Sequence, residues 1–206
     1  MAITTYSDLQ TTIASYLARS DLTAQIPDFI RLAETRLRRD LRIRQMMNAA
    51  TTTTTGGDAT VALPSDFLEV RDLVVQTNPV KPVNYISPSA FSRNARVTES
   101  GVPTDYTILA TEFKFAPVPD STYTLEILYY GAPDFLTSAN SSNTFLAVCP
   151  DLLLYASLVE AEPYLMNDAR IQVWAGMYDR GLAALNTSDE AAQYSGVPLT
   201  MTLTAR

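Results

Sequence analysis

The spacing of apolar residues changes twice along this chain, and that change limits the folds open to it more than any other feature. Up to about residue 45, apolar side chains recur every three or four positions; from about Met46 they alternate; after Pro150 the helical spacing returns. A chain patterned helix, strand, helix has two kinds of apolar face to bury, so the expected fold class is α+β. The N- and C-terminal helices are expected to form an antiparallel helical bundle with a central antiparallel β insertion. At 206 residues and 47% hydrophobic composition, one core of that kind is within reach. We expect a single domain, with 1–45 and 150–190 as the bundle, 46–148 as the β-rich insertion and 195–206 as a C-terminal extended arm.

Ser7 and Gln10 form an S-x-x-Q capping box, and Leu9, Ile13, Tyr16 and Leu17 share a face, which predicts a helix to about Ala18. Past Ser20-Asp21, the residues Ile26, Phe29, Ile30, Ala33, Leu37 and Leu41 predict a second helix ending near Arg42, with Pro27 tolerated near its start. Thr51 to Thr55, then Gly56-Gly57-Asp58, then Thr60 to Leu63 read as a hairpin at an exposed sheet edge. Leu68 to Val75, Tyr106 to Leu109, Glu112 to Ala116 and Tyr123 to Tyr130 are further strands. In the last, Tyr123, Leu125, Ile127 and Tyr129 share one face. The Pro-, Ser- and Asn-containing stretches 87–103 and 133–143 read as exposed loops.

The run LLLYASLVEA after Pro150 is apolar around most of a helix, so it is expected to be central in the core or pressed against another subunit. Glu162-Pro163 bends or ends it. A fourth helix from near Asn167 carries Ile171, Trp174, Tyr178, Leu182 and Leu185 on one face. From Val197 onward, Leu199, Met201 and Leu203 alternate with threonine, which is a strand pattern. Such an arm can join the protein's own sheet, reach a neighbouring subunit by strand addition, or fray.

Charge is distributed unevenly. The net charge is −7, yet Arg31 to Arg44 holds six arginines and two acids, so that segment carries +4 and the remainder −11. At about 100° per residue, Arg31, Arg38 and Arg42 fall within roughly 40° of one another, off the apolar stripe. Arg36 and Arg39 widen this rail, and Glu34 can pair with Arg38. One reading is a solvated helix face. The other is a docking surface for an acidic protein or for phosphates, favoured by the excess of arginine over lysine, 13 to 2.

Chemistry is restricted. The chain has no histidine, which removes the usual neutral-pH base and the commonest metal ligand. The lone Cys149 lies in an apolar setting that suits a buried, inert thiol. Phosphate-loop, dinucleotide, zinc, nucleophile-elbow and EF-hand motifs are missing. Of the carboxylates that could pair, Glu160 and Glu162 point apart on a helix, and Asp66 with Glu69 follows Pro64-Ser65, where Asp66 shapes a turn. No catalytic residue, cofactor or metal is expected. No apolar run reaches the length of a membrane span, and MAITTYSDLQ lacks signal-peptide features, so assembly in the cytoplasm is the default expectation.

Four segments in order carry a resemblance: 6–46, 61–73 (VALPSDFLEVRDL), 123–133 (YTLEILYYGAP) and 161–185, which opens with AEPYLMNDAR. Together they resemble the head-to-tail adaptor, or connector, proteins of tailed bacteriophages, and more narrowly the tail tubular protein A-like adaptors of short-tailed phages. The resemblance covers Tyr6 to about Leu199 and rests on co-occurrence, since no single segment is a catalytic fingerprint. It implies a non-enzymatic virion protein at the head–tail junction, assembled in the host cytoplasm as a ring, usually of twelve copies, under the portal vertex. The implied partners are the portal protein, further copies of the chain, a tail tube or nozzle protein, and viral double-stranded DNA passing through without sequence-specific binding. An acidic body suits such a conduit, because it repels phosphate. The candidate contacts with portal or neighbour are Arg31, Arg38, Arg39 and Arg42 on the rail and Leu199, Met201 and Leu203 on the arm. A nucleic-acid-binding or assembly-regulating phage protein is the alternative, disfavoured by the −11 outside the rail. A small hydrolase is a third, weakened by the missing histidines.

Overall fold

The computed structural model describes residues 3–93, 95–165 and 170–193. Along the chain run α1 (Tyr6–Leu17), α2 (Ile26–Asp40), a 3-10 turn at Arg44–Met46, β1 (Met47–Thr53), β2 (Thr60–Ala62) and β3 (Phe67–Val75). There follow β4 (Lys81–Pro82), β5 (Asn84–Tyr85), α3 (Pro88–Phe91), a second 3-10 turn at Ala95–Thr98, β6 (Asp105–Leu109), β7 (Glu112–Ala116) and β8 (Thr124–Gly131). Last come α4 (Thr144–Val148), α5 (Pro150–Glu160), α6 (Glu162–Leu165) and α7 (Ile171–Gln193). The class is α+β. The chain divides into two compact units, 1–45 with 133–206, and 46–132. Residues 133–148, expected in the β insertion, group with the helices. The expected arm, with Leu199, Met201 and Leu203, lies outside the described residues, as does Asn167.

In the helical unit, α1 begins two residues before the expected capping box. Thr5, in extended conformation, accepts from the Asp8 N–H, and Asp8 accepts from the Thr5 N–H at 3.0 Å, so T-x-x-D closes the box and Ser7 falls inside the helix. α2 buries the expected stripe of Ile26, Phe29, Ile30, Ala33 and Leu37, and Leu41 caps it. α5 packs against α1, α2, α4 and α7 and buries Leu152, Leu153, Leu154, Ala156 and Leu158, as its all-round apolar sequence requires. Ser157, also buried, gives its hydroxyl to Leu153 O at 2.7 Å and so costs the core nothing unsatisfied. On α7, Trp174 and Tyr178 are buried, which makes them core residues.

The β unit contains two four-stranded sheets, ordered β1-β8-β3-β4 and β2-β7-β6-β5. All pairings are antiparallel except β5 with β6. Leu73, Val75, Leu125, Ile127 and Tyr129 of the first sheet meet Tyr106, Phe113 and Phe115 of the second in one core, so of the two faces of β8 the one with Leu125, Ile127 and Tyr129 packs. The expected hairpin does not form. β1 pairs with β8 and β2 with β7, so Gly56-Gly57-Asp58 is a crossing between sheets. Period-two spacing marks a strand and is silent about its partner. Here buried Thr54 fixes the crossing, giving its hydroxyl to Ser121 O and taking the Tyr123 N–H at 2.8 Å. Gly57 supplies the positive φ, +85°, that turns the chain. The threonine strand β1 does lie at a sheet edge.

Candidate functional site

The arginine-rich helix α2 is helical because its stripe at 26, 29, 30, 33 and 37 drives it onto α5, which forces its arginines to the flanks. Most of these arginines are spent on their own chain. Arg36 pairs with Glu160 at 2.6 Å and lies 5.7 Å from the Tyr178 ring. Arg42 donates to Arg38 O at 2.8 Å and Leu41 O at 2.7 Å, so its guanidinium serves carbonyls at the end of α2. Arg44 gives its backbone N–H to buried Asp189 at 3.1 Å, with its side chain 3.9 Å from the same oxygen.

Arg31 and Arg38, two turns apart, both reach Phe135, with guanidinium carbons 3.1 and 3.3 Å from the ring centroid. Two such groups cannot share one face at that distance, so the ring lies between them in a double cation–π contact. Arg38 also donates to Pro133 O. Burial pulls its pKa down, as does Arg31, while Glu34 opposes them.

Glu34, 1% exposed, does not close the ion pair with Arg38 expected from its spacing. Its carboxylate accepts the Leu136 N–H at 3.0 Å and the Asn143 side-chain amide at 2.6 Å. Asn143 in turn accepts from Leu146 N–H as the cap of α4. Burial raises the Glu34 pKa, against the lowering by these hydrogen bonds and by Arg38 and Arg31. The stretch 133–143, read as an exposed loop, is therefore pinned along α2, and Leu136 is buried. Phe135, Leu136 and Asn143 are the partners that sequence reasoning missed; the adjacent apolar pair inside a polar loop was the available signal.

Arg31 and Arg39 remain exposed. Arg31 borders a groove of about 680 Å³ between the starts of α1 and α2 and the 136–141 stretch, with Ser7, Gln10, Thr137, Ser138 and Ser141 on its walls. One cation among hydroxyls and an amide suits an acidic side chain or other anion. Thus Arg31 and Arg39 are presented outward, Arg38 and Arg42 are half-buried and tied to the chain, and reversing either of the latter would disturb the fold as well as the surface.

The candidate carboxylates have structural work. Asp66 accepts from Tyr129 OH at 2.9 Å and Asn48 at 3.1 Å, over Gly131, where a Cβ would run into both side chains. Glu160 holds Arg36. Cys149 is buried, and desolvation, with Asp151 nearby, pushes its thiol up to about 12, so it stays protonated at neutral pH. Among the described residues no group of His, Cys, Asp and Glu could hold a metal ion, and no helix is long and apolar enough to cross a membrane.

The polar clusters of the helical unit are spent on fixing its own loops, and α2 presents Arg31 and Arg39 at its surface. The sequence profile of the SU10 adaptor protein family matches residues 4–202, and the chain belongs to that family. Membership in a phage adaptor family makes it a viral, structural protein with other phage proteins as its partners. No curated protein matches the chain.

Proposed function

We propose that this chain is a ring-forming component of the head–tail junction, joining the portal protein to the tail tube or nozzle and continuing the DNA channel. In this reading the helical ends form the antiparallel bundle, copies assemble as a ring of about twelve in the manner of tail tubular protein A-like adaptors, and DNA passes without sequence-specific contact. The observation that carries it is the family match over nearly the whole chain, 4–202. The surplus of −11 outside the arginine segment supports it, since an acidic lining lets phosphate slide. Arg31 and Arg39 are the docking residues best presented to a neighbour or portal, Arg38 and Arg42 support them through the fold, and Leu199, Met201 and Leu203 extend as a strand onto a neighbour or the portal. Binding to nucleic acid is disfavoured because Arg36, Arg38, Arg42 and Arg44 already have partners within the chain.

The test is quantitative mass spectrometry of complete particles and tail-less heads. A fixed, near-equimolar ratio to portal, with loss from some tail-less heads, is the expected result. Absence from particles would sink the reading.

A further inference from the structure

Leu32 on α2 is 50% exposed, and Val173 and Met177 on α7 are 59% and 38% exposed. Each helix therefore turns a large apolar residue outward from its unit. On α2, Leu32, Thr35 and Arg39 share a face by their i, i+3 and i+7 spacing; on α7, Val173, Gly176, Met177 and Arg180 do the same. The Thr35 hydroxyl is bonded to Arg31 O at 2.8 Å, so that position can be buried without an unsatisfied group. Gly176 meets nothing within 4 Å of where a side chain would begin, which leaves room for another helix to approach.

The two helices also have a fixed relation. Tyr178 OH donates to Asp40 at 2.8 Å, Arg36 lies over the same ring, and beyond the end of α2 the Arg44 N–H goes to Asp189, so α2 and α7 run in the same direction, with α7 continuing past the end of α2. At equal height, α7 residue numbers run about 140 ahead of α2 numbers, given the helical rise. For a ring whose axis runs along these helices, which is part of the proposal below, rotation preserves direction and height, because pure rotation adds no translation. Carried to a second copy, that offset sets Leu32 level with Val173 and Met177, Thr35 level with Gly176, and Arg39-Asp40 level with Asp179-Arg180. Apolar then meets apolar, and exposed Arg39 meets exposed Asp179, while Asp40 stays with Tyr178 of its own chain.

We propose that the outward face of α2 in one copy docks on the outward face of α7 in the next, through Leu32 against Val173 and Met177 and Arg39 against Asp179, as the repeating contact of the ring. This rests on the ring reading and names its interface. The two patches differ, so the contact is heterologous and propagates around a ring where a self-complementary patch would stop at a dimer.

Cysteine cross-linking tests it cleanly, since the one native thiol, Cys149, is 3% exposed. The full chain carrying L32C and M177C together, assembled with portal protein and mildly oxidised, should give a ladder of covalent multimers, and each single variant none. Assembled rings without cross-links, or L32C joining to itself, would overturn this interface while leaving the ring intact. If the unsubstituted chain forms no multimer with portal by native mass spectrometry, the ring reading itself falls and the interface with it. As a second measurement, R39E should weaken ring association by about tenfold and D179R added to it should restore most of the loss. Equal ring yield from all three would count against the contact.

Discussion

In the helical unit the residue that interrupts the apolar stripe of α2 is a carboxylate, Glu34, whose partners Leu136 and Asn143 come from more than 100 positions away in sequence, whereas the buried Ser157 of α5 is satisfied within its own helix. In the β unit the interruptions are hydroxyls. Thr54 is satisfied where two sheet crossings meet, while the Thr107 hydroxyl, fully buried on β6, has no partner among the described residues. The first unit therefore depends on a distant loop being in place, and the second on packing an aromatic core of Tyr106, Phe113, Phe115 and Tyr129. Charge loss and pH should act on the helices, volume loss on the sandwich.

The sharpest way to break that contrast is to remove volume from the sandwich. Phe113→Ala is expected to cost the β unit about 3–5 kcal/mol by leaving a cavity in a close-packed core. The single tryptophan, Trp174, lies in the helical unit, so its fluorescence follows that unit while circular dichroism of the strands follows the other. Equal shifts in both transitions would erase the distinction drawn here.

Glu34→Ala should come next, at about 3 kcal/mol in urea unfolding, because it strands the Leu136 N–H and the Asn143 amide and leaves Arg31 and Arg38 without their buried counter-charge. Limited proteolysis should then cut within 133–143. A cost near zero would mean that Phe135 and its two arginines hold the stretch unaided.

Glu34→Gln sharpens the electrostatic side. Burial raises the folded-state pKa above the ordinary 4.5, so the folded chain binds this proton more tightly than the unfolded chain. The contribution is then fully present below 4.5 and is lost as pH rises through the raised value. Relative to Glu34→Gln, the unsubstituted protein should lose stability across that window as pH rises. A difference independent of pH would remove burial as the dominant influence on the group.

The smallest effect has the opposite sign. Thr107→Val keeps shape and deletes an unpartnered hydroxyl, so the denaturation midpoint should rise by the equivalent of about 1 kcal/mol. A loss of stability would indicate a hydrogen bond that the variant destroys.

Legibility in the sequence followed the range of the interaction. The stripe of Ile30, Leu37 and Leu41 and the grouping of Leu125, Ile127 and Tyr129 on one face of β8 were readable, because burial on a helix or strand repeats with the element's own period, and the apolar neighbours of Cys149 pointed to its burial. The start of α1 was misplaced by two residues because Thr5 with Asp8 and Ser7 with Gln10 both fit a capping box, and local pattern does not choose between them. The arginine rail was readable as charge and not as contact, since nothing near Arg38 announces Phe135.

By itself, then, the sequence determined the order of helical and strand segments, the faces they bury and the concentration of cations on α2, all of which depend on neighbours within a turn or two. Packing across the whole chain placed β1 and β2 in different sheets, turned Glu34 inward to a loop, and left Arg31 and Arg39 outward while Arg38 and Arg42 are tied down. The reason is physical: a strand edge or a buried charge accepts any partner of the right chemistry, and which one it meets is set by how the whole chain packs.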